Sequence, residues 1–297
     1  MNEHFWTAAL SRSSQALEQG ALIPLTTSRL PCPGPGGEHF ELRQLNARLP
    51  RHHRPEGPKP NPFSPWDPEL QIDSIGVDHV LILNKYPVQT GHMLLITRHW
   101  ASQVHWLTHA DWNALVHVDR DTSGLWFFNS GPKAGASQPH RHLQLLRRQS
   151  GERTCPRENW FRRLLEVSNT RGVAESHDPL IGSCAVAQRP KLSDPEQESR
   201  ALHALYRTLA MTLALGDADA EQPPLAAYNL LLSPNWMALI RRRKERASGF
   251  SLNALGFAGY LLATENSDLG WLEHHGPERL LQEVVSSISD ATDDSES

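Results

Sequence analysis

The chain has 297 residues, 39 % hydrophobic and 21 % charged, with 22 Pro and 19 Gly: room for about two modules or one elaborated α/β or α+β domain, in a globular, turn-rich composition that excludes a fibrous or disordered protein. A net charge of −4 argues against a general nucleic-acid coat and leaves any anion binding to local patches. Three scattered cysteines, Cys32, Cys155 and Cys184, without a CxxC pair, exclude a disulfide framework and point to a reducing, cytoplasmic setting, and neither a signal peptide nor a membrane span is legible.

In chain order, Phe5, Trp6, Ala9, Leu10, Ala16 and Leu17 recur at helical spacing and predict a surface helix. A Pro- and Gly-rich stretch follows, then a short alternating strand from His39 to Leu45. From Leu49 to Glu69 prolines interrupt the chain repeatedly, and an irregular loop of that length signals function or disorder. Val77 to Tyr86 and His92 to Thr97 are apolar β-type runs that predict a hairpin across PVQTG, and Thr108 is a cap for a helix to Asp121. LWFFNS (125–130), the loop GPKAGASQP and HRHLQLL (140–146) read as strand, small-residue loop, strand. Helices are predicted over 157–168 and 194–215 with a strand from Cys184 to Gln188 between them, and a second hairpin joins Leu225–Ser233 to Trp236–Arg243. The rest reads as helical to Ser286, and the acidic tail SISDATDDSES as disordered.

The chemistry concentrates between Phe128 and Gln144. In a strand, alternation puts His140, His142 and Gln144 on one side and Arg141, Leu143 and Leu145 on the other. An imidazole with an unperturbed pKa of about 6.5 is a competent nucleophile near neutral pH. It needs its other nitrogen held by an acceptor and a neighbouring donor for the charge that builds on the attacked centre. The loop before the strand supplies that half: Gly131, Ala134, Gly135 and Ala136 let backbone N–H groups approach an oxyanion, while Lys133 and Ser137 add a cation and a hydroxyl. An HxH pair alone would equally suit a solvated hairpin; the loop, Lys133, Ser137 and Gln144 in one frame favour a phosphate site. The basic run Arg241 to Arg246 reads either as a solvated strand end or as a clamp on distal phosphates.

The run Asn129 to Gln144 resembles the active-site segment of the histidine-triad superfamily in its transferase branch, where HxHxQ replaces the hydrolases' HxHxH. It is most similar to the ATP adenylyltransferase family, also called diadenosine tetraphosphate (Ap4A) phosphorylases, and the segments 81–100 and 227–281 are similar to further blocks of that family. The resemblance implies that His142 is the nucleophile that forms a covalent nucleotidyl intermediate and that Gln144 hydrogen-bonds the attacked phosphoryl group. It implies a phosphate cradle of Gly135, Ala136, Ser137 and Gln138, and substrate contacts from Lys59, Asn84, Lys85 and Asn129, with Asn229, Met237 and Arg241 in the C-terminal hairpin.

The implied fold is α+β, a twisted antiparallel sheet of the histidine-triad type flanked by helices and extended by a C-terminal hairpin. Residues 1–190 would form the catalytic region, 191–286 would complete the same globule, and 287–297 would be a disordered tail. The implied reaction is phosphorolysis of Ap4A to ADP and ATP, with dinucleoside polyphosphate, ATP, ADP and inorganic phosphate as partners and neither nucleic acid nor membrane among them. Uridylyltransferases hold zinc with an upstream cysteine pair and the first histidine of HPH; here Arg141 replaces the proline and the cysteine pair is missing, so no structural zinc is expected. Mg²⁺ is a companion of the polyphosphate, not of a dedicated carboxylate site. A neutral amide at 144 cannot deliver a proton, which suits a polyphosphate leaving group. The rival readings are a uridylyltransferase acting on sugar nucleotides and a non-catalytic sensor that binds the dinucleotide.

Overall fold

The computed structural model describes residues 3–46, 61–148, 151–169 and 180–286. Lys59, the prolines of the loop up to residue 60 and the acidic tail from 287 lie outside the described residues. The first helix, α1 (His4–Glu18), turns Phe5, Ala9, Ser13 and Ala16 inward, a spacing that places all four on one stripe. β1 (Thr27–Leu30) and β2 (Glu41–Leu45) pair antiparallel. The second strand starts two residues later than its alternation suggests, because Gly37–His39 close a 3-10 turn.

β3 (Gln71–Ile75), β4 (His79–Leu83) and β5 (Met93–Thr97) are followed by α2 (His109–Asp121), which opens in a capping box between Thr108 and Asp111. Then come β6 (Leu125–Asn129), β7 (His142–Leu146), α3 (Glu158–Asn169), β8 (Cys184–Gln188), α4 (Pro195–Thr212), β9 (Ala227–Leu232) and β10 (Trp236–Arg242). Eight strands form one antiparallel sheet in the order β3-β4-β5-β7-β6-β9-β10-β8.

Register sorts the side chains onto two faces. One cross-strand row runs Ile82, Leu94, Gln144, Phe127, Leu231, Ala238, and we call its side the front. The adjacent row, Met93, Leu145, Trp126, Leu232, Met237, belongs to the back. The back packs on Trp112, Leu115 and Val118 of α2 and on Leu202, Tyr206 and Leu209 of α4. The front is covered by Trp160 and Phe161 of α3 and by C-terminal residues such as Phe257, Leu272 and Leu280.

The C-terminal quarter departs from the helical expectation. It contains two short strands, β11 (Arg246–Ala247) and β12 (Phe250–Ser251), one turn of helix α5 (Ala254–Ala258), β13 (Tyr260–Ala263) and only then α6 (Leu269–Gln282), two short helical stretches that break at Gly276, where φ is 77°. Asn253 caps α5, and Gly259, at φ 104°, stops it in the left-handed conformation that glycine favours. β13 pairs parallel with β2, making a three-stranded sheet β1-β2-β13. Four residues are too few for period two to stand out from a helical pattern. No helix among the described residues is long and apolar enough to cross a membrane.

Candidate active site

β7 lies between β5 and β6, and His142 and Gln144 both point to the front, opposite Ile96 and Leu94. His142 is 3 % exposed. Its Nδ1 lies 2.8 Å from the carbonyl oxygen of His140, so Nδ1–H donates there and the lone pair is left on Nε2. Burial lowers the pKa of this imidazole to about 4, against a smaller opposing effect of that carbonyl, and the ring is neutral at pH 7. His140 is also buried. Its Nε2 sits 2.9 Å from the Thr97 carbonyl and its Nδ1 3.0 Å from Asn61 Nδ2, a pattern that fixes an Nε2–H tautomer accepting from Asn61. Phe63 packs against both rings, at centroid distances of 5.8 Å to His140 and 5.3 Å to His142.

Gln144 is half-buried. Beside it on the front lies His92, the residue before β5, which the sequence pattern did not single out. Its place is legible in hindsight, since His92, Leu94 and Ile96 alternate onto the face of Gln144 and His142. His92 Nδ1 takes a hydrogen bond from Asn84 Nδ2 at 3.2 Å, and Asn84 Oδ1 accepts from Tyr86 N at 3.1 Å. Burial lowers His92 to about 4, partly opposed by the Gln144 amide, although among the described residues no atom reaches full hydrogen-bonding geometry at His92 Nε2. Asn84 thus reaches the site through His92. Lys85 Nζ lies 3.6 Å from Asp67 Oδ2.

The loop between β6 and β7 makes a 3-10 turn over Pro132–Ala134, flanked by Gly131 at φ 78° and Gly135 at φ 84°. A Cβ on Gly135 would meet Leu252 O at 2.7 Å and Asn253 Cβ at 2.8 Å, so the loop is pressed against the C-terminal segment. Lys133 and Ser137 are exposed and Gly135 and Ala136 half-buried. Gln138 is buried, and its Oε1 has no hydrogen-bond partner among the described residues.

Asn129 and Asn229 hold this loop from below. Asn129 Oδ1 accepts from Asn229 Nδ2 at 2.8 Å and from Ala254 N at 2.9 Å, and Asn229 Nδ2 also donates to the Ala134 carbonyl at 2.8 Å. Arg242 completes the network. Its Nη1 donates to Asn229 Oδ1, its Nη2 to Lys244 O at 2.8 Å and Leu252 O at 2.9 Å, and its Nε to Val284 O at 3.2 Å. All of these partners are neutral oxygens; desolvation lowers the guanidinium to about 9, and the Glu245 carboxylate opposes that from longer range.

The structure does not bring Met237 and Arg241 to this face. Alternation along β10 sends Ala238, Ile240 and Arg242 to the front and Met237, Leu239 and Arg241 to the back. Met237 is fully buried in the core shared with α2 and α4. Arg241 Nη1 donates to the carbonyls of Leu213, at 3.0 Å, and Ala214, at 2.8 Å, at the end of α4. Of the basic run from Arg241 to Arg246, whose first member was expected at the site, Arg242 rather than Arg241 lies on the front face.

Behind β7, Arg141 Nη1 meets Asp111 Oδ2 at 2.9 Å and His79 Nε2 meets Asp111 Oδ1 at 2.9 Å, all three buried. Burial would raise the Asp111 carboxyl, but His79, Arg141 and Thr108 together hold it below its ordinary value. Among the described residues, one group has metal-ligating composition: His109, His203 and Asp219, whose ligand atoms lie within 4.8 Å of one another. It sits at the back-face helices, and the Asp219 carboxylate is already paired with Arg207, which opposes a second cation.

Two family models match the chain, and they meet at residues 154–161 rather than at 190. Residues 1–161 match the Ap4A phosphorylase N-terminal domain and residues 154–287 the ATP adenylyltransferase C-terminal domain. The chain is 29 % identical over 234 residues to diadenosine 5',5'''-P1,P4-tetraphosphate phosphorylase 2 of Saccharomyces cerevisiae, covering 70 % of each. It is 28 % identical over 242 residues to the protein APA1 of the same yeast, covering 74 % of this chain and 72 % of the relative. The fold is that of the crystal structure of yeast Ap4A phosphorylase Apa2, with a TM-score of 0.69 and 21 % identity over 95 % of this chain and 94 % of that one. The complex of Apa2 with Ap4A superposes with a TM-score of 0.68 at 20 % identity, over 95 % of this chain and 97 % of that one.

Proposed function

This chain belongs to the Ap4A phosphorylase family, with the N-terminal and ATP adenylyltransferase C-terminal domains in one polypeptide, and from that membership we propose that it is a nucleotidyltransferase that phosphorolyses Ap4A to ADP and ATP through an adenylyl-His142 intermediate. The observation that carries the covalent step is the tautomer of His142: Nδ1–H is committed to the His140 carbonyl, and Nε2 keeps its lone pair on the front face beside Gln144.

In the first half-reaction Nε2 attacks the α-phosphorus; the N–P bond forms as the bond to the bridging oxygen breaks, and that oxygen leaves with its electron pair as the terminal oxygen of ATP. The positive charge on the substituted ring is stabilised through Nδ1–H by the His140 carbonyl. In the second, an oxygen of inorganic phosphate attacks the same phosphorus, the N–P pair returns to Nε2 and ADP departs. Gln144 and the backbone N–H groups of Ser137 and Gln138 donate to the phosphoryl oxygens, those of Gly135 and Ala136 being taken by Pro132 O and Gly131 O within the loop's own turn, so positioning and electrostatics supply most of the rate. Lys59, Lys85 and Lys133 would meet the outer phosphates, and Mg²⁺ carried by the polyphosphate supplies further charge neutralisation when bound. Asn129 and Asn229 act one step back, by holding the loop.

Labelled Ap4A without phosphate should leave acid-labile label on the protein, His142→Ala should abolish it, and initial velocities with both substrates should give parallel lines. Undiminished labelling in His142→Ala would move the nucleophile elsewhere. Intersecting lines would mean direct displacement.

A further inference from the structure

β6 and β7 pair through Leu125 with Leu146, Trp126 with Leu145 and Phe127 with Gln144. Continued at the same register, Phe128 would face Leu143 and Asn129 would face His142. The strands have parted there, because the chain leaves β6 at Ser130, whose N–H is taken by the Tyr228 carbonyl of β9, to form the loop under which the phosphates are to lie. Parting strands would leave the N–H of the nucleophile residue and the carbonyl of Asn129 buried without each other, each bearing the full desolvation penalty of an unsatisfied polar group.

One side chain fills the gap. Gln103 is 1 % exposed. Its Oε1 accepts from His142 N at 2.8 Å, and its Nε2 donates to Asn129 O at 2.9 Å and to His142 O at 3.3 Å. The carboxamide therefore takes the place of a ladder bond, inserting one amide between two backbones that would otherwise bond directly. Its own backbone is held as well: Gln103 N donates to Pro139 O at 2.9 Å, and Arg141 N donates to Ala101 O at 2.8 Å. The segment 101–103 thus runs beside 139–141 like a short extra strand, and it enters from the chain between β5 and α2, not from the loop or from β6.

We infer that Gln103 is a positioning residue for the reaction: a spacer that sets the separation between the nucleophile strand and the loop-bearing strand and fixes the backbone from which His142 is aimed. The inference rests on the reading of His142 as nucleophile. The orientation of that ring depends on the backbone carbonyl of His140, and residues 140–142 are tied on one edge to Thr97 and Ala101 and on the other to Gln103. An acceptor for His142 N and a donor for Asn129 O must come from one group of fixed length. An amide meets both needs at once, whereas a carboxylate supplies only the acceptor and an alkyl group neither.

The test is a single-turnover measurement of adenylyl-His142 formation from labelled Ap4A without phosphate, run in parallel on the wild-type chain, Gln103→Leu and Gln103→Glu. Misplacing a nucleophile by about 1 Å costs on the order of 10²-fold. Gln103→Leu should therefore label about 10- to 100-fold more slowly, while its dissociation constant for Ap4A, measured on a background of His142→Ala, stays within about threefold. Gln103→Glu should be slow near pH 8, where a carboxylate faces the Asn129 carbonyl, and should regain rate toward pH 5.5 as protonation restores the donor; the wild type should show no such recovery. Equal labelling rates in Gln103→Leu and wild type overturn the inference, as does a loss confined to substrate affinity. If Gln103→Leu does not fold, a Gln103→Glu profile parallel to that of the wild type overturns it alone. Wild-type protein that never acquires label brings down the nucleophile reading instead, and Gln103 with it.

Discussion

The eight-stranded sheet carries a buried polar network on each face, one organised around Asp111 and the other around Arg242. On the back, the Asp111 carboxylate receives Arg141, His79 and the capping Thr108, so cation and anion cancel within one cluster. On the front, Arg242 is surrounded by carbonyls and by Asn229 Oδ1, and its positive charge is offset by no carboxylate among its hydrogen-bond partners. A buried charge that is matched fixes helix to strand. A buried charge left over, in a medium of lowered dielectric and directly below the loop proposed to cradle the phosphates, projects a field toward an anion. The difference separates anchoring from function more clearly than burial does, since both arginines are almost fully enclosed.

Four experiments bear on that contrast. Asp111→Ala strands Arg141 in the interior and should cost about 3–5 kcal/mol in urea unfolding; a loss below about 1 kcal/mol would mean the back network is not closed. Arg242→Met removes a charge-assisted set of bonds worth roughly 1.5–3 kcal/mol. It should lower kcat/KM for Ap4A and flatten its dependence on salt, whereas an unchanged salt response would deny Arg242 its electrostatic part. pH separates the faces further. His142 and His92 have folded pKa values of about 4, below the unfolded value of about 6.5. The unfolded chain therefore binds protons that the fold refuses, and stability falls as pH drops from about 6.5 toward 4, by up to about 1.4 kcal/mol per pH unit for each histidine. Asp111, held below the ordinary carboxylate range, contributes stability that is present above its unfolded pKa of about 3.9 and is lost only as pH falls through its lower folded value. Unfolding free energies between pH 7 and about 2 should show these two stages, the first reduced in a His92→Phe variant. Arg241→Ala, on the back face, should cost only about 1 kcal/mol and leave kcat/KM unchanged; a large kinetic defect there would restore Arg241 to the site.

Much of this arrangement was legible in the sequence because period two is strong where it matters. His140, His142 and Gln144 are separated by apolar or paired residues, and the alternation that puts them together needs no tertiary knowledge. The same rule divides Arg241 from Arg242, but which of them shares a face with His142 depends on the register Asn129↔Asn229↔Ile240 across two further strands, and register is a property of pairing, not of one segment. Asn129 and Asn229 were recognisable as residues of the site. That their amides serve Ala134, Ala254 and each other follows only from the fold bringing positions 95 to 125 residues apart into one cluster. Gln103 left no local trace at all, since its partners are backbone atoms that any residue could supply.

The pairing of β6 with β9, from Trp126↔Leu232 to Asn129↔Asn229, joins the two family segments inside a single sheet, and β13 returns from the second to lie along β2 of the first. The boundary near residue 154–161 is consequently not a place where the molecule can be cut. A fragment ending there would present β6 as a naked edge, the kind that recruits foreign strands, and would lose the floor of its own phosphate loop. The remainder would carry a floor with nothing to support. Supplied together in trans, the two pieces hold complementary halves of one hydrogen-bond ladder, and reassembly along that seam is the only route by which either recovers a site.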